Sequence, residues 1–514
     1  MKEFMLSQRR AGVLLHITSL PSDFGVGDLG KSAYEFVDFL SKAGQTLWQI
    51  LPINPTTYNF GNSPYHSLST FAGNYILISP EKLYESGLVK KEDLEEIKVK
   101  RSNKVEYKLV YDNKKKILRK AFLNFDIKKD EFQRFLFEQK WWLESYAVFS
   151  AIREKTKKEW YEWDDELKKI KKREGEKKEH ENKEKDEKSI SGFEKLKKEL
   201  EDDFYFFVFE QFIFFKQWFE LKSYANSKGV FIIGDMPIYP AYSSCDVWEN
   251  PHLFKLDENM NMVFVSGVPP DFFSPTGQLW GNPVYNWREH EKEGFRWWIK
   301  RFSHLMKLYD YIRVDHFRGF IAYWEVPSYE KTAINGKWVQ VPYFSFFKTI
   351  FRSFPFLPII AEDLGFITED VKYVKEYFGI PGMKVLQFAF YEENSPYLPH
   401  NAEKNSIIYT GTHDNPPTRA WFKKLDPETK LKVEKYVGFP ITEDNICYFM
   451  IRLAYASPSQ FAIIPIQDIL SLDEDSRMNT PGKPDGNWEW RLENLPDEKL
   501  AFELYELSKI YGRI

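Results

Sequence analysis

Short runs of apolar, mostly β-branched residues recur along the chain, and between them apolar residues fall at helical spacing. The run at 12–21 predicts a buried strand entering a turn, because it is rich in Val, Leu and Ile and ends in Thr-Ser-Leu-Pro. Ala33, Phe36, Val37 and Leu40 then stand at i, i+3, i+4 and i+7, the stripe of an amphipathic helix, and Gly44 supplies its stop. A second strand is predicted at 47–53. Strand, helix, strand implies a parallel pair joined by a right-handed crossover. The alternation breaks off near 81 and resumes with a helix at 204–225, closed by Gly229, and a strand at 230–237. A helical stretch at 287–309 leads into a strand at 310–315. Further strands are predicted at 358–365, 383–388, 406–415 and 460–465.

Eight strands alternating with helical segments predict an α/β chain folded as a (β/α)8 TIM barrel with helical insertions. An open doubly wound sheet is the competing architecture. It would usually carry a glycine-rich phosphate loop after the first strand, where this chain has Thr-Ser-Leu-Pro. On the barrel reading, 1–80 and 204–514 form the catalytic barrel with its loop subdomains. The stretch 81–203 is a helical insertion, rich in Lys and Glu and anchored by Trp141, Trp142, Trp160 and Trp163. Within it, 168–188 is nearly all charge and reads as a solvated helix or mobile loop, with a partner-binding arm as the alternative.

Polar groups gather at the C-terminal ends of the strands: Asp235, Asp315, Glu362, Asp363, His413 and Asp414. A TIM barrel builds its active site there. At 310–315, Ile312 and Val314 point one way and Arg313 and Asp315 the other, since strand side chains alternate. A buried Arg favours the ionised form of a neighbouring carboxyl, as a nucleophile requires. A structural ion pair is the equally open alternative. Two carboxyls flanking the scissile bond are the minimum for glycoside cleavage, one ionised and one protonated. Arg313 is expected to keep Asp315 anionic. The apolar Ile-Ile-Ala before Glu362 is expected to raise its pKa and suit it to act as an acid. Asp414, beside His413, could bond sugar hydroxyls and support positive charge at the anomeric carbon. A divalent-metal site is the other use for three acids, but no motif has metal-ligand spacing and histidines are few, so neither metal nor cofactor is expected.

Composition narrows the partners. A net charge of −4 offers no basic field for nucleic acid. Two cysteines, Cys245 and Cys447, exclude a disulfide framework and suit a reducing, cytoplasmic setting. The first ten residues have no apolar signal core, and the longest apolar run, 204–215, is broken by Glu210 and Gln211, so no membrane partner is expected. Aromatics make up 18% of the chain, and many Trp and Tyr sit among loop residues. Flat apolar faces ringed by hydrogen-bonding groups suit a sugar.

Six motifs, in order, resemble the amylomaltases, 4-α-glucanotransferases of family 77 of the glycoside hydrolases. They are Asn-Ser-Pro-Tyr at 62–65, Gly-Asp-Met-Pro at 234–237, Gly-Gln-Leu-Trp-Gly-Asn-Pro at 277–283, Ile-Arg-Val-Asp-His-Phe-Arg-Gly at 312–319, Ala-Glu-Asp-Leu-Gly at 361–365 and Gly-Thr-His-Asp-Asn at 411–415. Arg-Met-Asn-Thr-Pro-Gly at 477–482 and the stretch from Asn487 to Arg491 match as well, so the resemblance covers 11–80 and about 204–495. It implies Asp315 as the nucleophile, Glu362 as the acid and then the base, and Asp414 as the transition-state stabiliser. Arg313 and His413 would hold nucleophile and sugar, Tyr65 would stack on or bond to the glucan, and Asp235 would contact hydroxyls or the other carboxylates in the same pocket. Trp280 would form a lid with Asp271 and Gln278 nearby, and His316 and Asn479 would complete the substrate-binding set. Phe272 stands where the family often has Tyr. The implied partners are α-1,4-glucan donors and acceptors, and the implied reaction is a retaining double displacement. The carboxyls alone leave an amylase-type hydrolase open, and the aromatics a non-catalytic glucan-binding protein.

Overall fold

The computed structural model describes residues 8–170, 192–270, 274–365, 367–483 and 485–514. Twelve strands occur among them: β1 (Arg10–Leu14), β2 (Leu47–Gln49), β3 (Phe231–Met236), β4 (Phe264–Val268), β5 (Gln278–Pro283), β6 (Tyr311–Val314), β7 (Ala322–Pro327), β8 (Lys337–Gln340), β9 (Ile359–Ala361), β10 (Gly382–Val385), β11 (Ser406–Tyr409) and β12 (Phe461–Pro465). Strands β1, β2, β3, β6, β9, β10, β11 and β12 pair in that order, all parallel, and β12 closes on β1. These are the eight strands expected, but several end early. Residues Ile17–Ser19 and Leu386–Phe388 form tight 3-10 turns, and β11 stops at Tyr409. The polar residues that follow belong to the rim loops and not to the ladder.

Alternate residues fill the barrel interior: Leu47, Ile233, Ile360, Met383, Val385, Ile407, Tyr409, Phe461 and Ile463. Their sequence neighbours, such as Ile232, Ile312, Val314, Ile408 and Ile464, pack against the surrounding helices. The expected two faces of β6 are therefore present, with Tyr311 on the interior side. Toward the C-terminal rim the filling turns polar. Gln49, Asp235 and Arg313 are all buried there, and the Tyr409 hydroxyl donates to Gln49 Oε1 at 2.8 Å. Residue 234 must be glycine, because a Cβ would lie 2.2 Å from the Tyr309 ring.

A second, antiparallel sheet in the order β5-β4-β7-β8 has no counterpart in the predicted elements. Its own buried core is only Val265, Val326 and Ala333, too little to mark the strands by alternation. The helix predicted at 287–309 is two, Trp287–Lys292 and Arg296–Leu308, broken where Gly294 and Phe295 take positive φ of 62° and 55°.

Helices Pro80–Glu85, Lys91–Ile97, Tyr107–Leu123 and Asp130–Thr156 occupy much of the charge-rich stretch. The last lies along helix Glu201–Ser227 through ring contacts such as Phe132–Phe212 at 5.5 Å and Trp142–Phe215 at 5.8 Å. Of the charged run 168–188, all but the first three residues lie outside the described residues. Among the described residues, no helix is long and apolar enough to cross a membrane.

Helix Glu201–Ser227 buries one carboxyl at a cost. Glu210 is 3% exposed, with Gln211 Nε2 at 3.4 Å, and burial pushes it up from 4.5 to about 8. The folded chain thus keeps a proton that the unfolded chain releases, so stability present below pH 4.5 is lost as pH rises through about 8. Glu210→Gln removes this dependence. The expected result is a melting temperature raised at pH 8–9 and little changed near pH 4, read by calorimetry across that range.

Candidate active site

The C-terminal rim opens into a cleft that forms part of a cavity of about 2830 Å³, which also reaches Gly379, Lys404, Asn405 and Gln460 ahead of β10, β11 and β12. Tyr65, Gln278, Trp280, Arg313, Asp315, His316, Glu362, His413, Asp414 and Asn479 all line it, drawn from the ends of different strands and from three long loops. Asp271 and Phe272 lie outside the described residues.

Asp315 and Glu362 follow the paired strands β6 and β9 on one rim. Glu362 N–H donates to Val314 O at 3.0 Å, and Phe317 N–H to Glu362 O at 3.0 Å. The Glu362 carboxyl accepts from His316 N–H at 2.7 Å and from Leu364 N–H at 3.2 Å. It is thereby fixed beside the peptide that joins Asp315 to His316. His316 sits in the left-handed region (φ 47°, ψ 53°), a conformation costing a non-glycine residue about 1–2 kcal/mol. That turn is what aims its N–H at Glu362.

Arg313 is shared between Asp315 and a second carboxylate. Its Nη1 donates to both oxygens of Asp235, at 2.8 and 2.7 Å, and reaches Asp315 Oδ1 at 3.1 Å. Most of its charge is answered by Asp235. Burial therefore pushes Asp315 up to about 8, opposed by Arg313 and reinforced by Asp235 and Glu362. Glu362 is also raised, chiefly by burial, against Arg313 and its two backbone donors. Two carboxyls raised together titrate as a pair, and the first ionisation leaves one charge and one proton between them.

Asp235 does not face the cleft. It is 1% exposed and lies beneath Arg313 and the Tyr65 hydroxyl, which donates to Asp235 Oδ2 at 2.7 Å. Expected to contact hydroxyls or the other carboxylates, Asp235 has Tyr65 and Arg313 as its partners in the structure and supports them from below. Burial lowers the His413 pKa and raises that of Tyr65, so a neutral imidazole meets a protonated phenol. Their rings stack at 5.3 Å with Tyr65 Oη 2.9 Å from His413 Nε2. With the phenol proton given to Asp235, the imidazole proton is assigned to Nε2, which also lies 3.4 Å from Asp414 Oδ2.

Asp414 is more open than Asp315, its side chain 44% exposed against 27%. Asn479, expected to touch sugar, lines the cleft and donates to Asp414 Oδ1 at 2.6 Å. Arg477 Nη2 donates to Asp414 O at 2.8 Å, and Asn479 N–H to His413 O at 3.1 Å. Trp488 packs against Tyr65 and His413 at 5.8 and 6.0 Å. Arg477 and Trp488 stand in motifs recognised in the sequence, which assigned them no role. Their segment is tied to residues 103–107: Tyr107 Oη donates to Trp488 O at 2.7 Å, Val105 N–H to Glu489 O at 2.8 Å and Arg491 N–H to Asn103 O at 3.0 Å.

Across the cleft, Trp280 sets its ring edge-on to His316 at 4.8 Å, and its Nε1 donates to Gln278 Oε1 at 3.2 Å. Asp363 is a brace: it accepts from Met383 N–H at 2.7 Å and pairs with Lys375. Gly382 makes room for it, since a Cβ there would lie 2.4 Å from Asp363 Oδ2. Among the described residues, no group of three or more His, Cys, Asp or Glu could hold a metal ion.

The family model for 4-alpha-glucanotransferases, glycoside hydrolase family 77, matches residues 15–496. The chain belongs to this family. It is an enzyme of the transferase class with 4-α-glucanotransferase activity. Among its relatives, the 4-alpha-glucanotransferase of Aquifex aeolicus is 52% identical over 98% of this chain and 99% of its own. That of Clostridium butyricum is 46% identical, covering 97% of this chain and all of the relative. The amylomaltase of Streptococcus agalactiae, solved in complex with acarbose, superposes with a TM-score of 0.90 at 41% identity, over 98% of this chain and 100% of that one. In the 4-α-glucanotransferase fold described here, every acid named by the six motifs lies at one rim.

Proposed function

We propose that the cleft breaks and remakes α-1,4-glucosidic linkages by retaining double displacement. Asp315 Oδ attacks the anomeric carbon while Glu362 gives its proton to the departing glycosidic oxygen, leaving a glucosyl ester on Asp315. Glu362, now a carboxylate, takes the proton of an incoming sugar hydroxyl. That oxygen attacks the anomeric carbon and expels the Asp315 carboxylate. The observation that carries this reading is the Glu362 carboxyl held by His316 N–H beside Asp315. Asp414 faces the positive charge of the transition state, oriented by Asn479. Tyr65, Asp235, Arg313 and His413 brace the floor. Trp280 over His316 would exclude water, and sugar subsites would raise the local hydroxyl concentration, so that transfer outruns hydrolysis.

The same reading sets 81–203 aside as a helical insertion without chemistry of its own. It places the enzyme in the cytoplasm, supported by two cysteines that are free and buried. A maltotriose digest resolved by chain length tests the reaction. Glucose together with oligosaccharides longer than maltotriose is expected. Glucose and maltose alone would make the protein a hydrolase, and binding without turnover a carrier.

Asn479 gives a separate prediction. Asn479→Ala frees Asp414 to rotate, and kcat on maltotriose should fall about 10–100-fold, the worth of one hydrogen bond to a charged group. KM should change little. A change confined to KM would return Asn479 to a direct sugar contact.

A further inference from the structure

Behind the cleft, one buried carboxyl holds two separate parts of the chain. Asp468 stands on the short helix Ile466–Ile469 that follows β12, and it is 1% exposed. It accepts from the Thr410 hydroxyl, from the Thr418 hydroxyl at 2.7 Å and from Thr418 N–H at 2.7 Å. Thr410 and Thr418 are themselves fully buried. Among the described residues no Lys, Arg or His forms an ion pair with Asp468. Its bonds from Thr410 and Thr418 are what offset the cost of burying it.

The two threonines are the stems of one rim loop. Thr410 follows β11, Thr418 opens helix Thr418–Lys424, and 411–417 between them carries His413 and Asp414. At its second stem the main chain has little to offer, because Pro416 and Pro417 have no N–H. Side chains take over there. Gln387 Nε2 donates to Pro416 O at 2.9 Å, and Asp468 takes Thr418. Within the loop, Thr412 N–H and Oγ1 donate to Asn415 Oδ1 at 2.9 and 2.8 Å, and Asp414 N–H donates to Thr412 Oγ1 at 3.3 Å. The loop is thus braced within itself, and Asp468 joins its ends. A shift of either stem carries Asp414 with it.

We propose that Asp468 is a positioning residue of the transfer reaction: by tying Thr410 to Thr418 it sets where the Asp414 carboxylate stands in the cleft. The proposal rests on the transition-state role given to Asp414 above. Asp468 touches no substrate and acts only through the loop. Stabilisation of a developing charge depends on the carboxylate being in place before the charge appears. A misplacement of about 1 Å costs up to about 100-fold in rate.

The test is a double-mutant cycle on the full chain, with kcat and KM for maltotriose measured well below the melting temperature of each variant. Asp468→Ala should lower kcat about 10–100-fold and leave KM nearly unchanged. Asp468→Asn should recover most of that loss. Its Oδ1 still accepts from Thr418 N–H, and its Nδ2 can donate to hydroxyl oxygens that turn to receive it. In an Asp414→Asn background, Asp468→Ala should cost little more, because the group it positions is already gone. If Asp468→Ala does not fold, Thr410→Val, which keeps the shape and removes one donor, is carried through the same cycle with a smaller expected fall. Parent-level kcat in the folded variants would overturn the proposal. So would an equal fold-loss in both backgrounds, which would make Asp468 a stabiliser of the fold that does not act through Asp414. If Asp414→Asn alone keeps parent kcat, the reading of the cleft itself falls. If Asp414→Asn is impaired while Asp468→Ala is not, only the positioning role falls.

Discussion

Asp315→Asn is expected to lower kcat on maltotriose by about 10⁴-fold or more, because the proposed glucosyl ester forms on the Asp315 carboxylate and an amide cannot replace it. Glucan should still bind, since the hydroxyl-facing residues and the aromatic walls remain. Asp315→Gly with α-maltotriosyl fluoride and azide sharpens the test. Azide entering from the vacated side gives the β-glycosyl azide. An α-azide, or near-normal turnover by Asp315→Asn, would remove the nucleophile from its position. Stability should move the opposite way to activity. Burial raises the folded carboxyl above its ordinary value as one member of the pair, so its contribution to stability is lost as pH rises through the titration of that pair. The Asn variant escapes this loss, and at alkaline pH it should melt higher than the parent enzyme.

Glu362→Gln is expected to cost about 10²–10⁴-fold on glucans, the usual worth of general acid–base help. Fluoride leaves without a proton, so the variant should still form the glucosyl ester from α-maltotriosyl fluoride. The ester then accumulates, because no base activates the acceptor, and mass spectrometry should find it on Asp315. Azide should release it as the α-glycosyl azide. The parent enzyme should show a bell-shaped pH profile lying above that of ordinary carboxyls, since burial raises both members of the pair. With the fluoride substrate the variant should lose the alkaline limb, which reports deprotonation of the acid. Retention of that limb would assign the proton to another group.

The barrel was legible because each of its strands is a short, deeply buried apolar run, and a parallel strand covered on both faces cannot look otherwise. The small sheet was not. Gln278 and Leu279 on β5 and Lys337 and Trp338 on β8 are exposed, and three buried residues leave no periodic trace. The acids were legible as strand-end residues, and the family resemblance gave them roles. Their electrostatics were not, because the partner that engages Arg313 is Asp235, 78 positions away. Proximity in sequence suggested Arg313 and Asp315 as the pair, and the fold gave Arg313 mainly to Asp235. Tyr65 and His413, 348 positions apart, meet only through barrel closure. Asn479 was recognised by its motif, but its hydrogen bond to Asp414, 65 positions away, was not legible.

Tyr107, Val105 and Asn103 grip the backbone at 488–491, and Trp488 in that stretch backs the rings of Tyr65 and His413. Two parts of the chain that are remote in sequence thus form one unit of inheritance behind the acid site. A chimera that borrows the 81–203 region from a relative should also borrow 487–491, or the graft will leave its seam directly behind the catalytic floor.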